Sequence, residues 1–175
     1  MSLTLTRKTY YLLGILAVAC NMFNAILLLT GSTPLSLGEN IAFVLTGLML
    51  LFLAALRNIS GSEKARCFLS FVLLLAGPAS LTTYAPINRA LLGGCWVNFV
   101  WMEYSRLRRE DPAKAGPFSG AVAAVCLCEL AQTLLLLAPE MTDLIKMAYN
   151  LMFFACTLAR GWALVALYRQ AASRQ

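Results

Sequence analysis

Six long apolar runs constrain the fold of this chain more than any other feature of its sequence. Each is close to the ~20 residues that a helix needs to cross a bilayer. They lie at about residues 10–30, 37–57, 66–84, 87–106, 117–138 and 143–168. Short segments containing Pro, Gly, Ser and Thr separate them, as tight connections between helices require. The sequence therefore predicts an all-α polytopic membrane protein, a single domain over residues 1–175 with six transmembrane helices and short loops.

The composition agrees with this prediction. Hydrophobic residues make up 60% of the chain and charged residues 13%, whereas a soluble domain has about 25% charged and about 45–50% apolar residues. The lipid bilayer is thus the first predicted partner.

The positions of the basic residues predict the orientation of the six spans. Eleven of the 14 Lys and Arg residues fall on one side if the spans are six, and basic loops mark the cytoplasmic side. They are Arg7, Lys8, Arg57, Lys64, Arg66, Arg106, Arg108, Arg109, Lys114, Arg169 and Arg174. We expect both termini inside, in a bacterial cytoplasmic (inner) membrane. The net charge of +6 is then a topology signal, and no nucleic-acid partner is predicted.

The residues that are missing exclude several kinds of chemistry. The chain has no histidine, which rules out His-ligated haem or zinc and Ser-His or Cys-His catalytic pairs. The six cysteines lie in or beside apolar runs without a CxxC pair, so we interpret them as packing residues. No cofactor and no metal site is predicted.

Polar residues inside the apolar runs are the candidates for function. Counting ~1.5 Å per residue from the expected start of each span places Glu129 and Asn21 ~16 Å into the bilayer, and Asn98 at a similar depth. Asn24 and Gln132 lie slightly further out. We therefore expect these five side chains to share one layer near the bilayer midplane, facing the bundle interior as intramembrane polar groups usually do.

The sixth span adds a second polar stripe. Asp143, Lys146, Asn150, Thr157 and Arg160 recur at helical spacing on one face. Arg160 has two candidate partners, Glu129 and Glu103. The predicted substrate- or ion-binding site comprises Glu129, Arg160, Asn21, Asn24, Asn98, Gln132 and Asn150, and no catalytic residue is assigned.

The same residues have a structural interpretation, because a Glu-Arg pair and several amides can simply hold helices together. Tyr10, Tyr11, Trp101, Tyr104 and Tyr168 are interpreted as aromatics at the headgroup level. The stretch Gly116-Pro117 is read as the start of the fifth helix.

Three functions are compatible with this sequence. The favoured one is a small membrane transporter or solute-binding membrane subunit for a small polar solute. The alternative is a non-catalytic membrane subunit or assembly factor that docks to a protein partner or a second copy, with the polar layer serving helix packing. An intramembrane lipid-modifying enzyme using Glu103 or Glu129 with Arg160 is the least favoured, because no catalytic motif is evident.

Overall fold

The computed structural model describes residues 7–56, 59–79 and 85–172, and these form six α-helices in sequence order. The helices are α1 Arg7–Leu29, α2 Ser36–Ala54, α3 Gly61–Ala79, α4 Ala85–Glu110, α5 Pro112–Leu135 and α6 Asp143–Ala172. Each predicted apolar run coincides with one helix, so the all-α prediction is confirmed. Residue 57 of the second run and residues 80–84 of the third lie outside the described residues.

Four of these helices, α1, α2, α5 and α6, are long and apolar enough to cross a membrane. The other two carry more polar residues. Glu63, Lys64 and Arg66 lie near the start of α3, and Asn88 and Arg89 near the start of α4. These residues lower the mean hydropathy of the two helices.

The helices are arranged as a closed ring. Each packs against the next along the chain, and α1 packs against α6. The ring therefore has two ends. We call the end where α1, α3 and α5 begin the basic end, and the other the distal end.

Contacts between remote residues confirm which helix termini meet. At the basic end, Arg7 at the start of α1 lies 2.9 Å from Glu63 at the start of α3. Lys8 Nζ lies 5.4 Å from the ring centroid of Tyr168, near the end of α6. At the distal end, Asn150 donates a long hydrogen bond of 3.5 Å to the Leu28 carbonyl.

Small residues allow the ring to close. A Cβ added to Gly14 on α1 would lie 2.5 Å from Met49 Sδ on α2 and 3.0 Å from Leu164 Cδ2 on α6. A side chain at this position would force one of these neighbours to move, so Gly14 sets the closest approach of three helices. The same face of α1 points inward, since Gly14, Ala17 and Asn24 are buried and Asn21 is half-buried.

The start of α5 differs from the prediction. The helix begins at Pro112, where a proline at the first helical position is favourable, and Pro117 lies inside it. The earlier start places Glu129 ~26 Å along α5 and only ~9 Å before its last residue. Glu129 is thus closer to the distal end than the sequence count implied.

The outer surface of the ring is apolar. Large hydrophobic side chains are exposed on all six helices, including Phe23, Val44, Phe68, Leu130 and Leu158. Soluble monomers seldom expose apolar patches larger than a few hundred Å². The surface therefore suits an apolar surrounding.

Candidate functional site

A buried carboxylate bound by two arginines is the centre of the candidate site. Arg160 Nε on α6 donates to Glu129 Oε1 on α5 at 2.6 Å, and its Nη2 lies 2.5 Å from the same oxygen. Arg89 on α4 binds the other oxygen, Oε2, through Nη2. The exposed fractions are 2% for Glu129 and Arg160 and 6% for Arg89. Of the two candidate partners of Arg160, Glu129 and Glu103, the structure pairs it with Glu129, and Arg89 joins this pair.

Gly93 lets this cluster form between α4 and α5. A Cβ at this position would lie 3.2 Å from Glu129 Oε2 and 3.4 Å from Glu129 Cβ. These distances are shorter than ordinary van der Waals contacts, so the absence of a side chain brings α4 against the carboxylate. Gly93 lies one turn after Arg89, which places both on the part of α4 that faces Glu129.

The cluster carries more positive than negative charge. Two guanidinium groups face one carboxylate, and the described part of the chain places no second carboxylate in contact with them. Within the described residues, Arg89 Nε and Nη1 have no hydrogen-bond partner. Buried charges are costly unless paired and hydrogen-bonded, so this net charge of +1 is the least compensated feature of the site.

Gln132 is a second under-satisfied group beside the cluster. It follows Glu129 by one turn of α5 and is fully buried. Neither of its amide atoms makes a well-formed hydrogen bond within the described residues, although Tyr149 on α6 lies beside it. Buried polar groups in proteins are rarely left in this condition.

A cavity of about 490 Å³ adjoins Arg160. Its wall combines polar and apolar groups from five helices: Asn21, Glu39, Asn40, Ala42, Phe43, Thr46, Leu74, Leu92, Trp96, Phe153 and Arg160. Its size lies within the roughly 300–1,000 Å³ that is typical of small-molecule sites. Glu39 and Asn40 belong to the first turns of α2 and are exposed, so the cavity extends to the distal end of the ring.

Trp96 connects the cavity wall to the charged cluster. The Arg160 guanidinium carbon lies 5.0 Å from its ring centroid, within the range of a cation–π interaction. Trp96 is buried and packs edge-on against Phe99. Trp101 and Trp162 are instead about half exposed on the outside of the ring. Of the three tryptophans, Trp96 alone lines this cavity.

Two predicted site residues, Asn24 and Asn98, form hydrogen bonds with backbone groups of other segments. Asn24 accepts a hydrogen bond from the Leu35 amide and donates one to the Leu35 carbonyl, both at 3.0 Å. It thereby fixes the connection between α1 and α2. Asn98 donates to the Arg66 carbonyl at 2.9 Å and to Ser70 Oγ at 2.8 Å, joining α4 to α3.

The residues of the predicted polar layer do not gather around Glu129. Asn24 lies at the distal end, where it meets the residue before α2, whereas Asn98 faces the first half of α3. Asn21 lines the cavity, and Asn150 joins α6 to the end of α1. Only Gln132 and Arg160 adjoin Glu129 as expected.

The basic end holds an ion-pair network that the sequence did not predict. Glu103 is fully buried. Its Oε2 lies 2.8 Å from Arg106 Nε, and its Oε1 lies 3.3 Å from Arg7 Nη1. Glu63 Oε2 lies 2.9 Å from Arg7 Nη2, and Glu63 Oε1 lies 2.9 Å from Arg109 Nη2. Three helices, α1, α3 and α4, are joined here by charge, so Glu103 is occupied and is not a partner of Arg160.

Tyr11 belongs to this network rather than to a headgroup layer. It is completely buried, and Arg106 Nη2 lies 3.5 Å from its hydroxyl. Tyr10 is nearly as buried, whereas Trp101 is about half exposed. Tyr11 therefore faces the interior of the ring rather than its outer surface.

Comparison with protein-family models, with curated proteins and with solved structures finds no match for this chain. Within the described residues, no group of three or more His, Cys, Asp or Glu side chains is placed to hold a metal ion. The class that the fold itself defines is an all-α ring of six helices, four of them able to span a membrane. The site chemistry is that of a buried, positively charged cluster beside an amphipathic cavity.

Proposed function

We propose that this chain is an integral membrane protein that binds a small solute in the cavity beside Arg160, as a transporter or a solute-binding membrane subunit. The observation that carries the proposal is the cavity of about 490 Å³, which joins an apolar wall to a buried charged cluster. A ring held together by packing alone needs no such space, because protein interiors are normally close-packed.

The membrane setting of the proposal has its own support. The exposed apolar surface of all six helices fits lipid. The net excess of Lys and Arg at one end of the ring fits the cytoplasmic side. In this orientation both termini are cytoplasmic, and the cavity opens toward the opposite side of a bacterial inner membrane.

The alternative, a non-catalytic subunit of a larger complex, is favoured by a different observation. Asn24, Asn98 and the Glu103 network all hold segments of the ring together, which is the role expected of polar residues that serve helix packing. In that case the cavity would be filled by a side chain of a partner protein.

Native mass spectrometry of the purified full chain tests the proposal. We expect a small molecule to co-purify with the wild type and to be lost from Thr46→Trp, because Thr46 lines the cavity and is buried. Leu130→Trp is the matched control, since Leu130 is 57% exposed on the outer surface. A wild-type protein that carries no small molecule, or a Thr46→Trp variant that retains it, would contradict the proposal.

The orientation is tested separately by labelling single cysteines in intact cells with a membrane-impermeant maleimide. We expect an introduced Cys at Glu140, between α5 and α6, to react, and one at Lys114 near the basic end to be protected. The reverse result would overturn the assigned orientation and leave the solute site unaffected.

A further inference from the structure

We propose that the ligand of this site carries a single oxyanion group, a carboxylate or a phosphate monoanion, which the buried cluster of Arg89, Gln132 and Arg160 binds. The inference rests on the proposed solute-binding function and specifies the chemical class of the solute.

The cluster carries a net charge of +1, which one negative charge on the ligand would balance. Glu129 neutralises one of the two arginines, and all three side chains are more than nine-tenths buried. A net positive charge in a low-dielectric interior is stabilised by an anion of equal charge, and a monoanion brings the cluster to neutrality.

The free donors show where the anion is held. Arg160 donates Nε to Glu129 Oε1, and its Nη2 lies 2.5 Å from the same oxygen without a well-formed hydrogen bond. Arg89 binds Glu129 through Nη2, and its Nε and Nη1 have no hydrogen-bond partner within the described residues. The Gln132 amide nitrogen, which makes no well-formed hydrogen bond within the described residues although Tyr149 lies beside it, is on the adjacent turn of α5. Planar guanidinium donors beside an amide match the several acceptor oxygens of a carboxylate or phosphate.

Arg160 lines the cavity, whereas Arg89 and Gln132 lie beside it, next to cavity-lining residues of their neighbourhood. On α4, Arg89 precedes the cavity-lining residues Leu92 and Trp96 by three and seven residues, which is the spacing of one helical face. On α6, Tyr149 beside Gln132 precedes cavity-lining Phe153 by four residues. A ligand whose oxyanion meets the donors can therefore place its body against the apolar wall.

One carboxylate, Glu39, also lines the cavity, and its charge opposes an anion. It is exposed at the mouth and lies in the first turn of α2, where the helix dipole stabilises it. Water and salt screen a charge in that position, whereas the arginine cluster is buried. We therefore expect the buried positive charge, rather than Glu39, to determine that the site prefers an anion.

Isothermal titration calorimetry on the full chain in phosphatidylcholine nanodiscs tests the inference with three probes of one shape. Benzoate is the anion, benzamide its neutral counterpart and benzylammonium the cation. We expect benzoate to bind, and benzamide and benzylammonium to have dissociation constants roughly tenfold higher or not to bind at all. A tenfold difference corresponds to about 1.4 kcal/mol, the order of magnitude of one charge-assisted hydrogen bond.

The decisive variant is Arg89→Gln, which removes the excess charge and leaves the Glu129–Arg160 pair intact. We expect its affinity for benzoate to fall roughly tenfold or more. Arg109→Gln is the matched control, because Arg109 is exposed at the basic end and lies outside the cavity. If Arg89→Gln fails to fold, the ranking of the three probes on the wild type decides the question.

Two sources of the oxyanion are separated by repeating the titration in nanodiscs containing phosphatidylglycerol, at a salt concentration that screens the surface charge. Weaker benzoate binding there assigns the oxyanion to a lipid headgroup, and unchanged binding assigns it to a soluble solute. Both outcomes support an oxyanion ligand.

The inference is overturned if benzamide or benzylammonium binds as tightly as benzoate, if a folded Arg89→Gln binds benzoate like the wild type, or if no benzoate binds. The proposed function has an independent readout in these cases. A small molecule that co-purifies with the wild type but not with Thr46→Trp would preserve the solute site while rejecting its preference for anions.

Discussion

Arg160 places two guanidinium nitrogens, Nε at 2.6 Å and Nη2 at 2.5 Å, on the same oxygen of Glu129. This arrangement leaves the second carboxylate oxygen to Arg89. Glu129 is therefore shared between two helices, α4 and α6, and its loss affects both.

The first prediction concerns this shared carboxylate. Glu129→Gln leaves two buried guanidinium groups without a counter-charge, and removing one partner of a buried ion pair costs about 3–5 kcal/mol. Arg89→Gln leaves a neutral Glu129–Arg160 pair, so we expect a loss below about 1.5 kcal/mol or a gain, because this substitution removes an excess charge. Chemical unfolding in detergent measures both. An equal loss of unfolding free energy in the two variants would contradict the expectation that Glu129 matters more to stability than Arg89.

The second prediction compares two neighbouring glycines. Gly93→Ala places a Cβ 3.2 Å from Glu129 Oε2, whereas Gly94→Ala meets only Leu73 Cδ1 at 3.6 Å, an ordinary contact. We expect Gly93→Ala to lower the free energy of unfolding by about 1–3 kcal/mol through overpacking. Gly94→Ala should be neutral or stabilising by up to about 1 kcal/mol, because Ala favours the helix. Thermal unfolding of the pair checks this, and a reversed order would contradict the close approach.

The third prediction concerns the network at the basic end. Glu103 is fully buried between Arg7 and Arg106, whereas the Glu110 side chain is 41% exposed. We expect Glu103→Gln to cost about 3 kcal/mol or more, as loss of one partner from a buried pair does. Glu110→Gln should cost less than about 1 kcal/mol, the usual range for exposed pairs. Similar values for the two would show that the network is solvated.

The fourth prediction separates a structural asparagine from the solute site. Asn24→Ala removes both hydrogen bonds to Leu35, so we expect a loss of about 1–3 kcal/mol and faster amide exchange at Leu35. Ligand retention at the cavity should be unchanged, because Asn24 does not line it. Asn40→Ala, at an exposed position on the cavity wall, is the control and should leave stability unchanged. Loss of the ligand in folded Asn24→Ala would return this residue to the site.

The helices could be predicted from sequence because apolar runs of this length have few other stable arrangements. The pairing of Arg160 with a glutamate could be predicted from the high cost of burying either charge alone, but the sequence left Glu129 and Glu103 open as the partner. Arg89 was missed because it lies near the start of α4, where a long side chain is expected to extend to the polar interface. Gly93-Gly94, one turn further on, was the available signal that α4 approaches a neighbour closely.

The hydrogen-bond partners of Asn24 and Asn98 could not be predicted for a different reason. Depth along a helix can be counted from sequence, but the partner of an amide depends on which backbone groups of other segments come within reach. Leu35 lies after the end of α1, and Arg66 lies on a separate helix. Neither contact can be predicted from the sequence pattern of α1 or α4 alone.

The ring closure between α1 and α6 has a consequence for the order of biosynthesis. Arg89 and Glu129 face each other across the α4–α5 hairpin, so their charges can already neutralise one another before α6 is synthesised. Arg160 then arrives last, on the helix that seals the ring. We expect a nascent chain ending after residue 142 to insert α4 and α5 as a pair. Replacing Arg89 with Gln in that truncated chain should reduce insertion of α5, as a glycosylation-reporter assay would detect.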